Sequence, residues 1–168
     1  RSVRLDLSLD GLFDKIVTRK RGGYCFELNS LFNALLVSLG YTTVNCFARY
    51  LRGATEIPMR RHRIIIASSD DMEGRAFADV GIGERAPKEA LCLEENTLQT
   101  AYGEEYRFGK EDFYGWVLWD RHNDEWGKFI SFTEEPQIEE DYWGTSYFCE
   151  AAPESYFKTG MMLSLKTA

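Results

Sequence analysis

The segment Arg21-Gly22-Gly23-Tyr24-Cys25-Phe26-Glu27-Leu28-Asn29 constrains this chain more than any other, because it runs two glycines into a helix and sets a cysteine at the join. Beyond it, Leu28, Leu31, Phe32, Leu35, Leu36 and Leu39 recur at helical spacing and mark one face of a helix ending at Leu39. Gly40 follows and suits the position that ends many helices. Cys25 therefore falls at or just before the helix N-terminus, where unpaired N–H groups and the macrodipole favour negative charge. The thiolate is the nucleophilic form of cysteine, so such a position points to chemistry. The plainer reading is a small buried hydrophobe, the usual state of a free cysteine. Partners elsewhere in the chain decide between the two.

Ahead of this segment, Val3, Leu5, Leu7 and Leu9 alternate, then Asp10-Gly11 leads to a short helical pattern at Leu12, Phe13, Ile16 and Val17. The basic run Arg19-Lys20-Arg21 suits a solvated helix end. After Gly40 the texture turns to β. Thr42 to Ala48 reads as a strand, Arg49 to Met59 as a polar connection, and Arg63 to Ala67 and Arg75 to Val80 as two strands joined through Asp70, Asp71 and Gly74. Short strands are expected near Thr97–Ala101 and Tyr106–Phe108, and a hairpin from Tyr114–Asp120 to Trp126–Phe132, turning at Asn123-Asp124. Pro136 to Trp143 suggests a short helix, Pro153 to Phe157 the start of another, and Met161 to Leu165 a last strand. Helices come first and antiparallel strands after, which defines an α+β chain: a helical segment, 1–40, carrying the cysteine, and a β-rich domain with short helices, 41–168.

Charge narrows the partners. The 168 residues carry 27 acidic and 20 basic side chains, a net −7, which argues against nucleic acid as the main partner. No apolar run is long enough to span a membrane and no signal peptide is present. The four cysteines, 25, 46, 92 and 149, form no C-x-x-C pair, and with the histidines they show no metal-ligand spacing. These features predict reduced thiols, a cytoplasmic location and no metal.

Only two histidines exist. His62 stands at the mouth of the Arg63–Ala67 strand. A hairpin centred between Asp70 and Asp71 sets it opposite Asp79, and Ile64 opposite Phe77, at the roughly 5 Å Cβ separation that lets a carboxylate hold an imidazole N–H. Cys25, His62 and Asp79 would then supply nucleophile, base and orienting carboxylate. His122 is the rival base, but Asp120-Arg121-His122-Asn123-Asp124 reads as an exposed hairpin tip. The cluster Arg60-Arg61-His62-Arg63 is read as solvated; cations turned inward would instead depress the His62 pKa.

Taken together, the Arg21–Asn29 block, His62 and Phe77-Ala78-Asp79-Val80-Gly81-Ile82-Gly83 resemble the arylamine N-acetyltransferase family, with separations of 37 residues from Cys25 to His62 and 17 from His62 to Asp79. The resemblance extends to Pro153-Glu154-Ser155-Tyr156-Phe157 and the Ser164-Leu165-Lys166-Thr167 tail. It implies a helical bundle followed by an antiparallel β-barrel, carrying a cysteine-protease-like triad. It also implies transfer of acetyl from acetyl-CoA, through an acetyl-cysteine at Cys25, to an aromatic amine or hydrazine. His62 would act as base, Asp79 would fix its tautomer, and Arg21, Glu27 and Asn29 would brace the loop and helix start. Tyr24, Phe26 and Phe108 are candidates to line a flat acceptor's pocket, with ordinary core packing as the alternative for each. Gly81 and Gly83 are candidates for close approach of backbone to coenzyme A. Family chains generally extend further at both ends, with a third, lid-like domain after the part that matches Ala168, so the sequence is expected to be either a fragment of such an enzyme or a shortened relative. Amide synthesis from a carrier-borne acyl chain, a cysteine hydrolase or transglutaminase-like activity, and a truncated remnant that only binds a ligand stay open as alternatives.

Overall fold

A curled antiparallel sheet dominates the computed structural model, which describes residues 5–83, 86–160 and 163–164. Among those residues eight strands pair: β1 (Thr42–Tyr50), β2 (His62–Ser68), β3 (Ala76–Ala78), β4 (Leu91–Cys92), β5 (Gln99–Ala101), β6 (Glu104–Glu111), β7 (Gly115–His122) and β8 (Glu125–Phe132). Their order is β4-β3-β2-β1-β8-β7-β6-β5, so β4, of two residues, and β5, of three, lie at the ends of the sheet. The Gln99 side chain spans the gap between them, accepting from the Cys92 N–H at 2.7 Å and donating to the Cys92 carbonyl at 2.8 Å. One amide thus takes the place of a ladder rung and brings the sheet to a nearly closed barrel. Full closure removes the exposed edges that leave strand N–H and C=O groups unpaired.

The barrel interior is aromatic and aliphatic, built on Ile64, Ile66, Phe77, Phe108, Leu118, Ile130 and Phe132. Alternation sends Ile65, Ala67 and Ala78 to the opposite side, where Leu36 of the long helix covers them. This double burial explains why β2 reads as an unbroken apolar run rather than as an alternating strand. The β7–β8 hairpin turns at Asn123 and Asp124, both with positive φ (49° and 64°), as expected for a two-residue turn. The β5–β6 turn uses Tyr102 and Gly103 in the same way, with φ 49° and 80°.

Among the described residues four α-helices accompany the barrel: α1 (Leu9–Leu12), continued by a π-helical stretch Phe13–Thr18, α2 (Cys25–Ser38), α3 (Asp141–Ala151) and α4 (Tyr156–Thr159). Helix α2 ends as anticipated, with Gly40 at φ 91° and Tyr41 N–H bonded to the Leu36 carbonyl at 3.0 Å. Its buried face differs from the leucine stripe. Leu35 and Leu39 are exposed, while Cys25, Phe26, Glu27, Asn29, Ser30 and Leu36 are buried. Polar side chains occupy that face because each of Glu27, Asn29 and Ser30 has a hydrogen-bond partner there, so burial leaves none of them unmet. The helix expected from Pro136 begins only at Asp141 and runs on to Ala151. The strand expected over Met161 to Leu165 lies mostly outside the described residues. Among the described residues, no helix is long and apolar enough to cross a membrane.

Helix α3 returns to α2 and forms a second core, in which Cys25, Phe26, Tyr142 and Cys149 are packed with Tyr24 and Phe47. Arg63 fastens this layer to the barrel. It is 1% exposed, and its guanidinium makes paired bonds to Glu139 at 2.7 and 2.6 Å, bonds Asn45, and lies 4.5 Å over the Tyr142 ring. It is therefore not solvated, in contrast to the reading of the basic cluster. Burial works against the Glu139 charge, but the Arg63 hydrogen bonds outweigh it and hold that carboxyl below its usual range. Glu139→Gln should lower the urea midpoint, with the slope unchanged, by the equivalent of about 1–2 kcal/mol. An unchanged midpoint would mean that the charge of this pair adds nothing to the fold.

Candidate active site

Tyr24 is the last extended residue before α2, with φ −110° and ψ −177°. Its carbonyl accepts the Glu27 and Leu28 N–H groups at 3.0 and 2.9 Å, and the Glu27 carboxylate returns to the Tyr24 N–H at 3.2 Å. Glu27 is in turn buried against Lys15, 2.5 Å away. The loop is thereby pinned to the helix, and Cys25 is fixed as the first helical residue. The cysteine is 5% exposed, with Sγ 3.9 Å from the Arg61 carbonyl.

Asn29, one turn further along the same helix face, is the organiser. Its amide donates to the Arg63 carbonyl at 2.6 Å and to Asp79 Oδ1 at 2.9 Å, and its carbonyl accepts the Val80 N–H at 3.0 Å. Asp79 Oδ1 also accepts the Gly81 N–H at 2.8 Å, which leaves Oδ2 for His62 Nε2 at 2.6 Å. All three polar side chains are buried. Cys25 lies close enough for its charge to act on the His62 ring. Burial alone would push the His62 pKa down, but the Asp79 charge, then the Cys25 charge, and hydrogen bonds to both raise it well above its ordinary value. The three expected residues are therefore brought together in one buried spot.

The route to that arrangement differs from the expected hairpin. Ile66 pairs with Phe77 and Ile65 with Ala78, two residues away from the anticipated register, with the turn centred on Asp71 and Met72. A two-residue shift keeps every side chain on its face. Strand β3 ends at Ala78, so Asp79 has left the ladder and reaches His62 diagonally.

Gly81 serves the site in a way the sequence did not suggest. A Cβ there would fall 2.5 Å from Cys25 Cα and 2.9 Å from the Asn29 amide nitrogen, so the glycine lets the Asp79 loop press directly on the start of α2. That is a packing requirement on the protein itself. Gly83 adopts φ 91°, a left-handed backbone position. Of the aromatic candidates, Tyr24 is half-buried and its hydroxyl bonds Ser146 Oγ, Phe26 packs on Tyr142 in the helical core, and Phe108 lies in the barrel core. His122 closes the β7–β8 hairpin at the exposed tip. Among the described residues no group of three or more His, Cys, Asp or Glu side chains gathers as a metal site. Sequence reasoning missed the Arg63–Glu139 pair and the placement of Cys149 in the same packed cluster as Cys25; the ion pair joins residues 76 positions apart and leaves no local signal.

A family model described as N-acetyltransferase matches residues 1–168, the whole length of the sequence. The chain belongs to the arylamine N-acetyltransferase family. It is 33% identical over 165 residues to an arylamine N-acetyltransferase of Mycobacterium tuberculosis, the match covering 96% of this chain and 58% of that protein. The structure of Mycobacterium marinum arylamine N-acetyltransferase in complex with CoA superposes with a TM-score of 0.84 at 33% identity, over 90% of this chain and 57% of the other. The Salmonella typhimurium arylamine N-acetyltransferase structure gives 0.85 at 29% identity, over 92% and 56%. The chain thus spans a little over half the length of these relatives.

Because a side chain at Gly81 meets backbone rather than a flexible group, Gly81→Ala should displace the Asp79 loop from α2. Cys25 alkylation by iodoacetamide is expected to slow roughly tenfold, since Asp79, which holds the His62 ring, moves with that loop. A rate equal to that of the unaltered chain would show that the close approach has no bearing on the thiol.

Proposed function

We propose that this chain carries the acyl-transfer centre of an acetyl-CoA-dependent arylamine N-acetyltransferase, with Cys25 as nucleophile, His62 as proton carrier and Asp79 as its orienting carboxylate. The observation that carries this reading is the buried His62–Asp79 bond of 2.6 Å beside a cysteine at a helix N-terminus. The CoA complex of the M. marinum relative supports coenzyme A as the donor's carrier.

The chemistry follows from the charges. The reacting form has Cys25 as thiolate beside the His62 imidazolium, the latter held by Asp79. The thiolate attacks the thioester carbonyl, and the oxyanion formed needs a donor, for which the Cys25 N–H at the helix start is placed. Collapse breaks the carbon–sulfur bond to coenzyme A. His62 gives its proton to the departing thiolate, leaving acetyl-Cys25, free thiol and neutral imidazole. One thioester replaces another, so this half-reaction is close to balanced. An arylamine then attacks acetyl-Cys25 while His62 takes the amine proton, which releases the amide and restores the thiolate–imidazolium pair. Asp79 and Asn29 keep the ring in one orientation through both proton transfers. Gly81 and Gly83 shape the loop that carries Asp79, and Tyr24 joins Cys25 to the α3 layer.

Mass spectrometry of the chain mixed with acetyl-CoA should find one acetyl group on the Cys25 peptide. Adding an aryl amine should discharge it, and Cys25→Ala should never acquire it. Acetyl-Cys25 that decays in water as fast as with amine would replace transfer by hydrolysis. The absence of any Cys25 label would remove the reading for this chain.

A further inference from the structure

Cys25 does not sit alone in its layer. Cys149, from the last turns of α3, belongs to the same packed cluster and is 1% exposed. The same cluster holds Tyr24, whose ring packs edge-on against Phe26 with centroids 5.3 Å apart. The other two cysteines lie elsewhere: Cys46 in the barrel interior and Cys92 exposed on β4.

We propose that Cys149 is a resolving thiol for Cys25, forming a reversible Cys25–Cys149 disulfide when a hydroperoxide oxidises the nucleophile. The inference rests on the reading of Cys25 as a reactive thiol. The electrostatics are consistent with the packing. Burial raises the Cys149 thiol to about 11, with the Cys25 charge adding to the rise and the Arg61 charge opposing it. Arg61 also lends its carbonyl to Cys25 Sγ at 3.9 Å.

The chemistry divides between the two thiols. The Cys25 thiolate attacks the terminal peroxide oxygen, the O–O bond breaks, and an alcohol (water, for hydrogen peroxide) leaves with one proton, giving a sulfenic acid. The Cys149 sulfur then attacks the Cys25 sulfur. A new S–S bond forms as the S–O bond breaks, and water departs with the Cys149 proton. Two thiols of an external reductant return both cysteines to the free state. The burial that makes Cys149 inert to outside reagents leaves it open to this one partner, because Cys25 is packed in the same cluster. The sulfenic acid is thereby diverted from irreversible oxidation to sulfinic and sulfonic acids.

The test is limiting hydrogen peroxide on the full chain, followed by intact mass and non-reducing peptide mapping, in the unaltered chain, Cys149→Ala, Cys149→Ser and Cys25→Ala. The unaltered chain should lose about 2 Da, yield a linked Cys25–Cys149 peptide, and recover both thiols on reduction. Both Cys149 variants should instead gain about 32 Da on the Cys25 peptide under the same treatment and fail to recover. Cys25→Ala should form no disulfide at all. Sulfinic acid on Cys25 of the unaltered chain at the level seen in the Cys149 variants would overturn the proposal, and so would a Cys25 link to Cys92. Acetyl-CoA labelling of the unoxidised Cys149 variants separates the two readings. A labelled Cys25 without a disulfide in the unaltered chain defeats this inference alone, and a disulfide without acetyl labelling defeats the transferase reading alone.

Discussion

The bond between His62 and Asp79 is the constraint on which the rest of the site depends. Two ionisable groups buried together are costly unless each is charged and bonded to the other. Here the carboxylate receives His62 on one oxygen, and Asn29 and the Gly81 N–H on the other. Both carboxylate oxygens therefore have donors, from the barrel, the helix and the loop. Helix α2 supplies both Cys25 and Asn29 one turn apart, so the element that positions the thiol also positions the carboxylate. Nothing in the site can shift without moving the helix, the end of β3 or the loop between them.

That coupling explains features that otherwise look unrelated. The buried face of α2 is polar because it is an assembly surface for the site as well as a packing surface. Gly81 lacks a side chain because Cys25 Cα occupies the place where one would go. Arg63, on the strand face opposite His62, is bonded through its carbonyl to Asn29 and through its guanidinium to Glu139. One residue of β2 thus ties the barrel, helix α2 and the segment ahead of α3 into a single frame.

Much of this was legible in the sequence, for identifiable reasons. The periodicity from Leu28 to Leu39 gave the helix and Gly40 its end, because spacing and a positive φ are local properties. Asn123-Asp124 gave the β7–β8 turn in the same way. The register of β2 and β3 was not legible, because Asp70, Asp71, Met72 and Gly74 allow a turn to be centred at more than one place. The face of α2 was misread because apolar spacing says nothing about buried Glu27 and Asn29 until their partners are known. Arg63 was misread because its carboxylate lies 76 residues away. Strand β4, two residues long, carries too little pattern to be seen at all.

The central claim is that Asp79 and Cys25 together hold His62 as an imidazolium in the folded chain. Its pKa is raised from the 6.5 of a free imidazole to about 10, so its contribution to stability is fully present below about 6.5 and is lost as the pH climbs through about 10. The direct measurement is an NMR titration of the His62 ring. The account predicts a ring that stays protonated through neutral pH and releases its proton only under alkaline conditions. A ring that titrates at or below the free-imidazole value would contradict it.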